Sequence, residues 1–334
     1  MSTIHTSPST HDHPESSARR RTAAVLVNPA KIDIGDLRAA VADHEHAHGW
    51  TPSRWFTTDA GDDGRAAAHA AVAADPDVLV VAGGDGTIRV AAEAVAATGT
   101  PLGIIAAGTG NLLARNLGLR QDSTADAVRA AFDGTDRSID VGVADLTRPT
   151  GATETRTFLV MAGIGLDAQM AADTDPRLKR RLGWIAYAGP IAKSVIGNRT
   201  ISFLYRRDEG PFHSMQAHTV IVGNCGTLTA GVLLLPDAQP NDGILDAVAF
   251  RPIKRFGWST VGYALALNRF FTRTRFGQLL HRIIPTPRTL QYTHGRKFEL
   301  HTPAPEQIQL DGDPFGEITT VTLTVHPGRL RIRS

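Results

Sequence analysis

One carboxylate stands among three glycines in VVAGGDGTIRVAAEAV, Val80 to Val95. Gly83, Gly84 and Gly86 lack side chains, so backbone N–H groups there can approach a phosphate closely. The residues that follow predict a helix whose positive N-terminal end faces the same place. Thr87 can cap that helix or touch a phosphate oxygen. Asp85 would repel an anion unless a cation stands between them. It therefore points to a divalent ion, or to proton acceptance in phosphoryl transfer. The competing reading is a tight turn with Asp85 as a helix cap. No G-K-[ST] follows and G-x-G-x-x-G is absent, which argues against a Walker A loop and a dinucleotide redox fold.

A second loop of the same kind lies one strand and helix later, in GIIAAGTGNLLARNLG, Gly103 to Gly118. An apolar run ends in Gly108-Thr109-Gly110, and Asn111 opens a helical pattern. Upstream, VLVNPAK ends its strand at Asn28-Pro29. In a parallel sheet all three ends lie on one edge, where α/β proteins bind ligands. Together they predict a composite phosphate cradle.

The elements that must carry these loops alternate. AAVLVN, SRWFTT, DVLVVAG and PLGIIAAG predict strands; DLRAAVADHEHAHGW, GRAAAHAAVAAD, TIRVAAEAVAA, NLLARNLGL and TADAVRAAFDG predict helices. Apolar strands alternating with amphipathic helices predict a parallel sheet covered on both faces. After Ser138 the texture becomes alternating strands: TRTFLVMAG, TISFLYRR, HSMQAHTVIVGN, GILDAVAF, LQYTHGRKFELHT, EQIQLDG, EITTVTLTVHP and LRIRS. That predicts an antiparallel β domain, a sandwich or curved sheet, interrupted by helical inserts near Pro176–Ile196 and Ile253–Ile284. The expected organisation is a disordered tail over 1–21, a nucleotide-binding α/β domain over 22–138 and a β domain over 139–334, whose last strands can return toward the first domain.

The 334 residues suit two domains, and 42% hydrophobic with 20% charged residues is ordinary for a globular protein. A net charge of +2 gives no electrostatic case for nucleic acid. One cysteine, Cys225, excludes a disulfide framework and suits a reducing cytoplasm. No apolar run is long enough to span a bilayer, and the N-terminal residues lack the apolar core of a secretory signal. His44 and His48 have the i, i+4 spacing of a zinc pair, but no further ligand is recognisable, so a solvated helix face is expected. His11 and His13 belong to the tail. Cys225, at a glycine turn, is expected to be inert. Asn224 either shapes that turn or lines an acceptor pocket. From Arg251 through Lys297 there is no acidic residue, and ten basic residues alternate with Phe256, Trp258, Phe270 and other apolar groups. Such a stretch suits either a headgroup surface or core packing with solvated arginines. On the first reading, vesicle binding requires anionic lipid and weakens with salt.

These blocks, in order, carry a family resemblance: NPAK, GGDGT, GIIAAGTGNLLARNLGL, IDVG (Ile139 to Gly142), GIGLDA (Gly163 to Ala168), LLLPDAQPNDGILD (Leu233 to Asp246) and LDGDP (Leu310 to Pro314). The chain resembles the diacylglycerol kinase catalytic family, in the soluble bacterial lipid kinase branch related to sphingosine and ceramide kinases. The resemblance implies a phosphofructokinase- and NAD-kinase-like α/β nucleotide domain and a C-terminal antiparallel β-sandwich. It implies ATP and Mg²⁺, a lipid acceptor such as diacylglycerol or ceramide, a cytoplasmic enzyme able to meet the inner membrane face, and a homodimer as one assembly. By match, Asn28, the Gly83 to Arg89 loop, Gly108, Thr109 and Asn111 contact ATP, and Asp85 serves the Mg²⁺–phosphate site. Asp140 is expected to face that site across the cleft, with a strand-end linker acid as the alternative. Asp242 matches a structural Mg²⁺ site completed by the carbonyls of Gln239 and Ile244. Asp313 matches the general base.

The chain departs from the family pattern at several places. D-G-E is common where Asp311-Gly312-Asp313 stand, so Asp313 holds its carboxylate on a shorter arm. Asn-Glu is common after GGDGT, where Arg89-Val90 stand; Arg89 either contacts phosphate or faces solvent. Leu112 stands where an Asp often follows, and Ala106 where a Pro is usual. Two other readings share the GGDGT loop: an NAD kinase, and a non-catalytic nucleotide or lipid sensor on a degenerate kinase fold.

Overall fold

The computed structural model describes residues 19–59, 61–119, 123–165, 200–228, 233–251 and 290–334. The first part alternates as its apolar periodicity predicts: β1 (Ala23–Val27), α1 (Ile34–His48), β2 (Arg54–Thr57), α2 (Arg65–Ala73), β3 (Val78–Gly83), α3 (Asp85–Val95), β4 (Leu102–Ala106), α4 (Leu112–Asn116) and α5 (Thr124–Asp133). β1 pairs in parallel with β2 and β3, and β3 with β4. Every residue of β1 and β3 is buried, because helices cover both faces of the sheet. Capping residues set the helix limits. Asp33 accepts from the Asp36 amide and Ser123 from the Asp126 amide at two N-termini, and Gly49 closes α1 in the left-handed region at φ 71°.

Among the described residues the second part is strand: β5 (Asp136–Thr147), β6 (Thr153–Phe158), β7 (Met161–Ile164), β8 (Ile201–Arg207), β9 (His213–Ala217), β10 (Thr219–Gly223), β11 (Leu245–Phe250), β12 (Leu290–Gly295), β13 (Lys297–Leu310) and β14 (Asp313–Arg333). Its ladders are antiparallel, and they build the β-sandwich. β14 pairs along most of its length with β5, then places Ile332 and Arg333 parallel to Leu102 and Gly103 of β4. One mixed sheet therefore runs through both parts. Leu26, Val81 and Ile88 share a core with Val160, Ile221 and Val248, and a separate core of Phe158, Leu245 and Leu323 fills the β part.

Several strand limits differ from the sequence expectation: β5 runs across the expected change of texture at Ser138, TRTFLVMAG divides at Leu159-Val160 into β6 and β7, and HSMQAHTVIVGN divides at His218 into β9 and β10. LQYTHGRKFELHT divides at Arg296 into β12 and β13. β13 continues through Pro303 and Pro305 because a register shift between His301 and Glu306 removes the need for their missing N–H groups. EITTVTLTVHP and LRIRS form one strand, β14, with Pro327 inside a second shift between His326 and Leu330.

His44 is buried, not solvated. Its Nε2 lies 2.8 Å from Asp133 at the end of α5, and Asp133 also accepts from Arg21 at 2.7 Å and from Trp50 Nε1 at 3.3 Å. Burial alone would raise the Asp133 carboxyl, but the hydrogen bonds from His44 and Trp50 and the charge of Arg21 hold it below its ordinary value. His48 Nδ1 sits 2.9 Å from the His44 carbonyl. The ligand atoms of His44, His48 and Asp133 lie within 4.8 Å of one another, and their mutual pairing accounts for that cluster.

The tail over 1–18, the last residues of the GIGLDA block, both helical inserts and most of the basic stretch from Arg251 to Lys297 lie outside the described residues. Among the described residues, no helix is long and apolar enough to cross a membrane.

Candidate functional site

The ends of β1, β3 and β4 stand side by side, since β3 lies between the other two. At the end of β1, Asn28 donates through its amide to the Ala82 carbonyl at 2.9 Å and through Nδ2 to Thr87 Oγ1 at 3.3 Å. Its Oδ1 accepts from the Ala30 amide at 3.0 Å, so Asn28 ties its own turn to the first helical turn of α3. Gly83 must be glycine there: a Cβ would stand 2.8 Å from the Thr87 side chain. The two glycine loops touch backbone to backbone, because a Cβ on Gly108 would stand 2.7 Å from Gly84 Cα. Asn111 bends the second loop at φ 47° and accepts from the Gly108 amide through Oδ1 at 2.8 Å. Thr109 is exposed at its tip.

Asp85 joins these loops. It is the first residue of α3, yet its Oδ1 accepts from the Leu112 amide of α4 at 2.6 Å. Burial raises its carboxyl above the ordinary value; amides of α4 oppose that, and the nearby charge of Asp313 adds to it. Asp85 thus caps a helix, but α4 rather than the α3 that it begins.

The opposite side comes from the far end of the chain. Leu310 pairs with Asp313 across a two-residue loop in which Asp311 has φ 52° and Gly312 φ 90°. Positive φ at both central residues is what a tight hairpin needs, and Asp-Gly supplies it. The two acids then divide. Asp311 is buried and accepts from the amides of Leu159, Val160 and Met161 at 2.9, 2.8 and 3.0 Å. Burial pushes its carboxyl up to about 6, against the pull of those amides and of Arg89. Asp313 keeps 49% of its side chain exposed and reaches α3. Its Oδ2 lies 2.9 Å from Arg89 Nη2, and 2.9 Å from where a Cβ on Gly86 would stand. The D-G-D turn is therefore both a hairpin and the arm that brings an acid onto the glycine loop.

Arg89 neither faces solvent nor stands free. It is 4% exposed, pairs with Asp313, and holds its guanidinium 4.8 Å from the Phe315 ring centroid. Among the described residues its Nε and Nη1, both buried, have no hydrogen-bond partner.

Asp140 is placed elsewhere. It is buried, and its carboxylate accepts from the Gly243 amide at 2.6 Å and the Gly328 amide at 2.7 Å. Its own amide donates to the Pro240 carbonyl and its carbonyl accepts from Asn224 Nδ2. Among the described residues no contact links Asp140 to Asp85 or to the glycine loops. It knots β5, the loop before β11 and the bulge of β14 together. Asn224 belongs to that knot and is wholly buried rather than set in an open pocket. Burial, with the charge of Asp311, pushes the Cys225 thiol up to about 12, so it stays protonated.

Asp242 is exposed and accepts from the Ile244 amide at 3.0 Å; Gln239 is exposed and Ile244 half-buried. Sequence reasoning missed two acids of that loop. Asp246 has its carboxyl raised to about 6 by burial and by the charges of Asp242 and Asp237, with His294 opposing. The signal was present, since all three acids lie in LLLPDAQPNDGILD.

Residues 22–144 match the family described as diacylglycerol kinase catalytic domain, and residues 160–334 match the YegS C-terminal NAD kinase beta sandwich-like domain. A Pseudomonas putida protein named "Probable lipid kinase YegS-like" is 33% identical over 261 residues, covering 76% of this chain and 82% of that protein. The chain belongs to this lipid kinase family. Among further relatives of the kinase, a protein of Mycobacterium tuberculosis named diacylglycerol kinase is 31% identical over 189 residues, 56% of this chain and 60% of that one. The kinase also superposes on a crystal structure titled as a diacylglycerol kinase from Bacillus anthracis, with TM-score 0.69 and 20% identity over 95% of this chain and 98% of that one, which shows a shared fold.

Proposed function

We propose that this lipid kinase transfers the γ-phosphoryl group of ATP to a hydroxyl of diacylglycerol or a related lipid, in the cleft between Asp85 and Asp313. The amides of Gly83, Gly84, Gly86 and Gly108 and the N-terminal end of α3 cradle the polyphosphate. Asn28, Thr87, Thr109 and Asn111 shape the nucleotide side. Asp313 accepts the hydroxyl proton as the new O–P bond forms and the bond from phosphorus to the ADP oxygen breaks. Two neighbouring acids, one with its carboxyl raised by burial and by the other, fit a divalent cation, Mg²⁺ in this reading, which when bound neutralises polyphosphate charge. Asp242, with the carbonyls of Gln239 and Ile244, is the oxygen-only set that would hold a second, structural Mg²⁺ in this reading.

The observation that carries the reading is the approach of Asp313 to Gly86: the last hairpin of the chain delivers an acid to the first turn after the glycine loop. The test is phosphate transfer from ATP with Mg²⁺ to a panel of diacylglycerol, ceramide, a sphingoid base and NAD. Transfer to a lipid and not to NAD is expected, and Asp313→Asn should lower it about 10²- to 10⁴-fold. Unchanged turnover in that variant would remove Asp313 as the base. Nucleotide binding without transfer to any lipid would favour a sensor.

A further inference from the structure

Two departures from the family pattern, Arg89 and Asp313, lie 224 residues apart in the chain, yet they touch at 2.9 Å. The acid at 313 is one methylene shorter than the glutamate common in the family, and the residue at 89 is long enough to come up from α3 and meet it. A shortened acid on one side is matched by a lengthened base on the other. The guanidinium is also underused. Its side chain is 5% exposed, Phe315 covers its face, and the buried Nε and Nη1 have no hydrogen-bond partner among the described residues. Idle donors on a buried charge are costly and persist where another group uses them. Asp85 and Asp313 leave the same space acidic, so a phosphoryl oxygen entering there needs a cationic fork.

We infer that Arg89 and Asp313 work as one coupled pair: Arg89 fixes the short acid over Gly86 and turns Nε and Nη1 toward the transferring phosphoryl group. The inference rests on the lipid kinase reading above. For Asp313 it makes Arg89 a positioning residue, and for ATP a ligand of the γ-phosphate that ADP lacks.

Two measurements test it. The first is a kinetic cycle. Arg89→Asn and Asp313→Glu should each lower turnover about ten- to a hundredfold, with lipid KM nearly constant, the range expected for directly coupled groups. In the Arg89→Asn background, Asp313→Glu should instead raise turnover. The same fold-change in both backgrounds would overturn the pairing. Arg89→Lys keeps the charge and loses the fork; it should fall between wild type and Arg89→Asn, and it replaces Arg89→Asn in the cycle if that variant does not fold. The second measurement is calorimetric binding without any lipid. Arg89→Asn should weaken ATP about tenfold while leaving ADP unchanged. Equal weakening of both nucleotides, or of neither, would overturn the phosphate role. Absence of lipid phosphorylation in the wild type would refute the acceptor assignment but leave this binding test standing.

Discussion

Two regions of the molecule treat aspartate in opposite ways. In the knot around β5, Asp140 is buried and both its oxygens are occupied by the amides of Gly243 and Gly328. Beside the glycine loop, Asp313 is half exposed, and its charged partner among the described residues is a side chain, Arg89, that can move. Both acids sit in blocks that mark the family, so motif membership alone does not separate them. What separates them is whether the fold has already satisfied the carboxylate. A backbone-saturated acid is a strut, because releasing it strands two amides. An acid paired to a side chain at a cleft edge can exchange partners and receive a proton. Asp311, two residues from Asp313, is a strut by the same criterion.

The widest test of this contrast is Asp313→Asn. Lipid phosphorylation should fall about 10²- to 10⁴-fold, the usual share of general base catalysis, while the melting temperature falls only as far as the loss of the Arg89 ion pair requires. Asp140→Ala should do the reverse. Two stranded buried amides cost about 1–3 kcal/mol each, so scanning calorimetry should find a melting point lower by about 5–10 °C, while the folded fraction keeps its turnover. Asp311 offers a pH signature. Its carboxyl is raised to about 6 from 3.8, so the folded state holds the proton more tightly than the unfolded chain. Its contribution to stability is full below pH 4 and is lost as pH climbs through 6, by about 3 kcal/mol in all. Asp311→Asn should flatten that segment of the stability–pH curve measured by urea unfolding, and a curve of unchanged slope would break the assignment. The smallest effect is expected from Gly86→Ala. Its methyl would stand 2.9 Å from Asp313 Oδ2, so the carboxylate must shift by a few tenths of an ångström. Turnover should fall about tenfold, with stability within about 0.5 kcal/mol of wild type.

The α/β part was legible because its signals are local. Buried parallel strands read as apolar runs, helices show their period, and Asp33, Ser123 and Gly49 mark the ends. The glycine loops were legible for the same reason: close backbone approach leaves no alternative residue at Gly83 or Gly108. What escaped the sequence was pairing at a distance. Arg89 could be placed on a helix but not against an acid 224 residues later. Asp140 could be placed at a strand start but not under amides of two remote turns. His44 carried helical spacing that suits a solvated face, and only the docking of α5 shows why it is buried. Prolines misled at Pro303, Pro305 and Pro327, because a register shift lets a strand continue where a missing N–H would otherwise end it.

β14 begins at Asp313 and finishes between β4 and β5, beside the parallel sheet, where Thr135 and Ser334 exchange backbone hydrogen bonds at 3.0 and 3.2 Å. A ribbon shared in this way leaves neither half able to melt by itself. Heating should thus give a single endotherm rather than two. The Asp140 carboxylate pins that ribbon at its bulge, through the Gly328 amide, so the join between the halves is held by an acid that faces neither of them as ligand.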